Sequence, residues 1–137
     1  MQARAIGRPT ASSQARLQLV LIALAAWNIA CYLLDLTSAF GIIDVGPIEG
    51  ALGARAVSGS LLVLGIGYLY AARNPVRYRF MLWLAALEQV VALFSIAFHW
   101  ALDDVGFGES ALPIVIAAAF LVLLIANLPR QTDTIGA

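Results

Sequence analysis

Glu88 places a carboxyl group near the middle of an apolar segment, residues 79–100, RFMLWLAALEQVVALFSIAFHW. Side chains three and four residues apart share a helix face, so Glu88, Ser95 and His99 would line one stripe, which Gln89 borders. A carboxylate at this depth in lipid costs about 2.5–3.5 kcal/mol on insertion scales. We therefore expect Glu88 to face other helices and to be paired or protonated.

Two interpretations of Glu88 stay open at this point. As a functional group it would handle protons or contact a ligand, because ionisable residues inside membranes are functional candidates by default. As a structural group it would be a polar clamp that hydrogen-bonds another helix and fixes the packing. Asn28, on the first apolar segment, is the candidate partner, since it would lie within about one helical turn of the depth of Glu88.

A second polar group is expected nearer the outer end of the helices. Asp35 would lie there on the first segment, Arg55 enters the second segment from the same end, and His99 falls at that level. An Asp35–Arg55 ion pair would explain how an arginine is tolerated on this side. The candidate ligand-binding or proton-handling residues are thus Glu88, His99, Asn28, Asp35, Arg55 and Ser95.

The remaining chemistry-bearing residues predict neither an enzyme nor a metal site. His99 could ligate a haem or a pigment, but it is the single histidine and no CxxCH accompanies it, so an interfacial histidine is the alternative. One cysteine, Cys31, excludes an intrachain disulfide and most simply behaves as a small buried hydrophobe. No nucleophile–base pair, phosphate-binding loop or paired catalytic carboxylates are found, and the sequence specifies no cofactor.

Composition identifies the elements that must position these residues. The 137 residues are 62% hydrophobic and only 12% charged, whereas a soluble domain holds about twice that share of charge. Apolar stretches of about 18–22 residues match a hydrocarbon layer of about 30 Å. We predict an all-α fold, an integral membrane four-helix bundle forming one domain over residues 1–137. Its four spans cover about 15–36, 51–72, 75–101 and 111–128.

Charge placement predicts the orientation of these spans. All eight basic residues are arginine, and in a four-span arrangement every one except Arg55 falls on the side of the termini. The positive-inside rule then places both termini in the cytoplasm, with the chain multi-pass in a bacterial inner membrane. The basic, then apolar N-terminus also resembles a cleaved signal, but Asn28 departs from the lipoprotein pattern and we expect retention. Nothing in the arginine pattern indicates nucleic-acid binding.

Connections and small residues predict how the helices pack. Little more than Arg73 and Asn74 joins the second and third spans, so these should be antiparallel neighbours. Asn74, Ser110 and Ser12 or Ser13 are candidate helix N-caps. Small residues on the second span would allow close helix approach, including Ala54, Ser58, Gly53, Gly59, Gly65 and Gly67. Aromatic residues near the predicted boundaries are interpreted as interfacial anchors: Tyr68, Tyr70, Tyr78, Trp83 and Trp100.

Residues 50–92 carry Arg55 at a helix start, a glycine-bearing second span, a basic hinge and Glu88. In these features the chain resembles the small four-helix bacterial membrane proteins of the DoxX-like group and the similar BphX-like proteins. The resemblance implies four helices and, in some members, association with respiratory or quinone-linked oxidoreductases. It assigns no catalytic residue here.

Three functions follow as hypotheses. The first is a non-catalytic accessory or assembly subunit of a larger respiratory, photosynthetic or other redox membrane complex, with a membrane-protein partner or a second copy beside it in the lipid bilayer. The second is a small proton-coupled transporter that uses Glu88. The third is a quinone- or lipid-binding oxidoreductase subunit.

Overall fold

The computed structural model describes residues 11–40, 51–103 and 106–128. Within these ranges the side chains of residues 11, 39, 51–57 and 109 are not described. The described chain is all-helical, as predicted, and contains four helices. They are α1 Ala11–Ala39, α2 Ala51–Ala72, α3 Arg79–Ala101 and α4 Phe107–Asn127. Helices α1, α3 and α4 each contain a segment long and apolar enough to cross a membrane. In α2 the described apolar segment, Ser58–Ala72, is shorter.

Three helices begin at other residues than predicted. Ser12 and Ser13 lie inside α1, and Ser110 lies in the first turn of α4, where its Oγ donates to the Gly106 carbonyl at 2.8 Å. A hydroxyl that bonds back to its own turn does not cap the helix. The predicted N-caps at these serines are therefore wrong.

The start of α3 shows why Asn74 and Pro75 do not begin a continuous helix. Asn74 Oδ1 accepts a 3.1 Å hydrogen bond from the Arg77 amide, and the Asn74 carbonyl accepts from the Tyr78 amide. This closes one turn. Tyr78 then adopts φ −101° and ψ 41°, outside the helical region, so α3 begins only at Arg79. Residues 73–78 thus join α2 to α3, and we call the end of the molecule at which they lie the hinge end.

The four helices form a closed ring of contacts. Helix α1 packs most extensively on α2, and α3 on α4, while α1–α4 and α2–α3 contacts are less extensive. The short connection predicted α2 and α3 to be neighbours, and they do touch. Yet their interface is the least extensive of the four contacts, so chain connection alone did not indicate where the helices pack best.

The tightly packed core occupies the hinge-end half of the bundle. Its members come from all four helices and are Leu17, Val20, Leu21, Leu24, Ala25, Tyr68, Ala71, Ala72, Leu82, Ala85, Ala86 and Leu124. Large apolar side chains on the outer faces remain exposed, among them Val63 at 70% and Phe94 at 70%. Such an extensive exposed apolar surface is typical of a protein that meets lipid or a partner.

Candidate functional site

Glu88 is hydrogen-bonded from two other helices. Asn28 Nδ2 on α1 donates to Glu88 Oε1 at 2.7 Å, and the Tyr68 hydroxyl on α2 donates to Glu88 Oε2 at 2.6 Å. The predicted proximity of Asn28 and Glu88 is therefore confirmed. Both carboxyl oxygens have a neutral donor, so one side chain of α3 links three helices. We call Asn28, Tyr68 and Glu88 the clamp.

Tyr68 is the clamp residue that the sequence analysis misassigned. The structure buries it completely, so the prediction of an interfacial anchor is wrong for this tyrosine. In a helix the Cα–Cβ bonds tilt toward the N-terminus, and the N-terminus of α2 lies away from the hinge end. The Tyr68 side chain therefore leans inward toward the level of Glu88. The sequence did contain a signal for this contact. Tyr68 lies one turn inside the end of α2, where its hydroxyl can reach a carboxyl group on a neighbouring helix.

Gly65 allows α1 to approach α2 closely beside the clamp. A Cβ atom at this position would lie 3.2 Å from the Ala25 carbonyl oxygen, 3.0 Å from Ile29 Cγ1 and 3.5 Å from Asn28 Cβ. At Gly67 a Cβ would lie 2.8 Å from Met81 Cε, the flexible end of a side chain of α3. The predicted role of small residues in α2, close helix approach, is confirmed at Gly65. It is not confirmed at Gly59, where the corresponding space is open.

A cavity of about 510 Å³ lies beyond the clamp, on the side away from the hinge end. All four helices contribute to its wall, which consists of Trp27, Asn28, Cys31, Leu61, Glu88, Gln89, Val91, Ala92, Ser95, Ile96, Pro113 and Ala117. Most of these side chains are apolar. The clamp therefore separates two regions, the packed core at the hinge end and this cavity.

The cavity wall carries polar groups in addition to Asn28 and Glu88. Gln89 is only 5% exposed. Within the described part of the chain its amide makes no hydrogen bond. Ser95 and the thiol of Cys31 also line the wall. Glu88 and Ser95 are seven residues apart on one face of α3, about 10 Å along the helix axis. The predicted stripe of Glu88, Ser95 and bordering Gln89 thus faces the cavity.

The expected outer cluster is only partly visible in the described residues. Asp35 Oδ2 accepts a 2.5 Å hydrogen bond from Ser58 Oγ of α2. The side chain of Arg55 lies outside the described residues, so the Asp35–Arg55 pair stays a prediction. His99 is exposed, touches the ring of Phe98 edge-on at 5.9 Å between centroids, and does not line the cavity. Haem or pigment ligation by His99 stays a hypothesis.

The geometry suits binding better than bond-making. A mostly apolar cavity with a few convergent polar groups is the usual form of a small-molecule site, and typical volumes are about 300–1,000 Å³. The clamp carboxyl already accepts two hydrogen bonds, while the Gln89 amide can still donate and accept. Polar contact with a guest molecule is therefore most readily made at Gln89 and Ser95.

No family model, no curated protein and no solved structure matches this chain. The resemblance to DoxX-like and BphX-like proteins accordingly stays a prediction that rests on residues 50–92.

Proposed function

We propose that this protein crosses a bilayer four times and holds a lipid-soluble small molecule, a quinone or a lipid-like compound, in the cavity beyond the clamp. The single observation that carries the proposal is the cavity of about 510 Å³ that residues of all four helices line. Its depth supports the same function, because it begins at Glu88, near the middle of α3, and extends away from the hinge end. A molecule dissolved in the bilayer core would meet it at that level.

Several features support insertion in a membrane. Three helices have the required length and hydropathy, and their outer faces are apolar where a soluble bundle would be charged. Arg73, Arg77 and Arg79 lie at the hinge end, which by the positive-inside rule favours a cytoplasmic hinge end and cytoplasmic termini. We accordingly propose a multi-pass protein of a bacterial inner membrane.

A non-catalytic role as an accessory subunit of a redox membrane complex is compatible with this binding function. The resemblance to DoxX-like proteins favours it, because some of those proteins are associated with quinone-linked oxidoreductases. Exposed apolar residues such as Phe80 and Phe94 offer a surface to a membrane-protein partner or to a second copy. Purification from native membranes in a mild detergent tests this part of the proposal, with co-purifying subunits as the supporting result.

Proton-coupled transport is the second candidate function, and the position of Glu88 in the cavity wall favours it. There a carboxyl group could exchange a proton with a bound substrate. Glu88→Gln keeps the side-chain shape but cannot change charge, so it should abolish proton-linked uptake into vesicles. Transport that is unchanged in this variant would exclude the coupling role.

Ligand extraction from the purified protein tests the binding function directly. The protein is isolated in native lipids, extracted with organic solvent and analysed by mass spectrometry for compounds enriched over bulk lipid. Ala92→Phe fills the cavity, whereas Ala97→Phe makes the same change on an exposed face of α3. We expect the wild type and Ala97→Phe to carry the compound and Ala92→Phe to lose it. Equal content in all three proteins would refute the site.

A further inference from the structure

Gln89 is the one strongly buried polar side chain of the cavity wall that lacks a described hydrogen-bond partner. It is 5% exposed, whereas the equally buried Asn28 donates to Glu88. Among the described residues no side-chain nitrogen or oxygen that is sealed from water lacks a partner, so the Gln89 amide keeps accessible surface, and Gln89 lines the cavity. Proteins keep such groups where a ligand or water completes their hydrogen bonds.

The charges around the cavity limit the ligand that could complete those bonds. The wall contains one carboxyl group, Glu88, and no arginine. Arg79, at the start of α3, is nine residues from Glu88, about 13 Å along the helix axis. An anionic head group would meet a carboxyl without a compensating cation. A cationic head group would have to compete with Asn28 and Tyr68 for oxygens that already accept hydrogen bonds.

The shape of the cavity limits the ligand further. Its wall runs from Gln89 to Ser95 and Ile96 along α3, with Val91 and Ala92 between them. Val91 is also 56% exposed, so the cavity reaches the outer surface of the bundle at this residue. An elongated molecule could therefore place a polar head at the clamp and leave its apolar part toward the bilayer.

We propose that Gln89 determines the ligand specificity of the cavity, by hydrogen-bonding the head group of an uncharged amphiphile that bears a carbonyl or hydroxyl. This inference rests on the proposed binding function and adds the ligand class and the recognising residue. The Gln89 amide donates to a carbonyl or accepts from a hydroxyl. Ser95, on the same helix, adds a hydroxyl to the cavity wall.

Cys31 provides the readout, because it is the single cysteine of the chain and lines the cavity. The full chain is placed in lipid nanodiscs, and the rate of labelling by an apolar maleimide is measured against ligand concentration. Three probes are compared: a fully ring-substituted benzoquinone with a decyl tail, which leaves no free ring position for addition of the thiol, as the uncharged amphiphile, dodecyl phosphate as the anion and tetraphenylphosphonium as the cation. Protection of the thiol gives an apparent dissociation constant for each probe.

Two variants make the same chemical change at different places. Gln89→Leu removes the proposed recognition group, and Gln18→Leu removes an amide of α1 outside the cavity wall. Since the Gln89 amide has no described partner, its replacement by leucine should leave the melting temperature unchanged or raise it. We expect the quinone to protect Cys31 most strongly of the three probes. Its binding should weaken about three- to tenfold in Gln89→Leu, as for one lost neutral hydrogen bond, and stay unchanged in Gln18→Leu.

The contrary results separate this inference from the function on which it rests. Equal quinone binding by wild type and Gln89→Leu would overturn the role of Gln89 and leave the binding function standing. Tighter binding of either charged probe would overturn the uncharged ligand class. Labelling of Cys31 that none of the three probes slows would overturn both the inference and the proposed function.

Discussion

The Tyr68 hydroxyl donates a 2.6 Å hydrogen bond to Glu88 Oε2 from a completely buried position on α2. One of the less extensive interfaces of the bundle, that between α2 and α3, thus contains a short polar contact. Asn28 occupies the other carboxyl oxygen from α1. The clamp lies between the packed core and the cavity. It therefore stabilises the core and forms part of the cavity wall.

Removing the Tyr68 hydroxyl should destabilise the bundle. Tyr68→Phe leaves Glu88 Oε2 without its donor in an apolar interior, and an unsatisfied buried group costs about 1–3 kcal/mol. Thermal unfolding in detergent, followed by size-exclusion chromatography of the soluble fraction, measures the change. Tyr70→Phe is the matched control, because Tyr70 is exposed and hydrogen-bonds only the Tyr78 hydroxyl among the described residues. Equal melting losses in the two variants would argue against the clamp.

Adding a methyl group at Gly65 should separate α1 from α2. The new Cβ would lie 3.2 Å from a backbone oxygen, that of Ala25, and backbone cannot move aside as a side chain can. Overpacking of this kind typically costs about 1–3 kcal/mol. Gly59→Ala adds the same group on the same helix where nothing lies within 4 Å. We expect a lower melting temperature for Gly65→Ala and an unchanged or slightly higher one for Gly59→Ala. The reverse order would contradict the close approach.

The four-span topology predicts that positions 74 and 106 lie on opposite sides of the membrane. Each is replaced by cysteine, Asn74→Cys or Gly106→Cys, in a chain whose own cysteine has been removed by Cys31→Ala. A membrane-impermeant maleimide applied to intact cells should label Gly106→Cys. It should label Asn74→Cys only after the membrane is opened. Labelling of both positions from one side would rule out this topology.

Arg55 should matter more to stability than an arginine of the hinge. It precedes Ser58 by three residues, so the two positions share a face of α2, and Ser58 hydrogen-bonds Asp35. Arg55→Leu should therefore lower the melting temperature in detergent more than Arg77→Leu, since Arg77 is exposed. Similar losses would count against an Asp35–Arg55 pair. Ser58→Ala, measured in parallel, reports the loss of the Ser58 hydroxyl, which includes its hydrogen bond to Asp35.

The clamp shows how far a pattern of residue types leads toward a site. Helical periodicity and depth correctly brought Asn28 next to Glu88, because both follow from the regular rise of a helix. They did not predict that Tyr68 belongs to the clamp, because its position near the end of α2 suggested an interfacial anchor. They also placed Asp35 beside Arg55, which stays a prediction, and did not indicate the hydrogen bond from Ser58 to Asp35. The choice between such partners depends on how each helix is rotated about its axis.

The order of residue types along the chain is enough to predict the four helices and their strongly apolar character. Both depend on local information, the long hydrophobic stretches and the short polar connections between them, which act within a few residues of the chain. The folded chain shows three further features: α1 lies close to α2 at Gly65, Tyr68 completes the clamp, and a cavity remains beside Gln89. These features depend on the distances and rotations between helices, which are set by the simultaneous packing of side chains far apart in sequence.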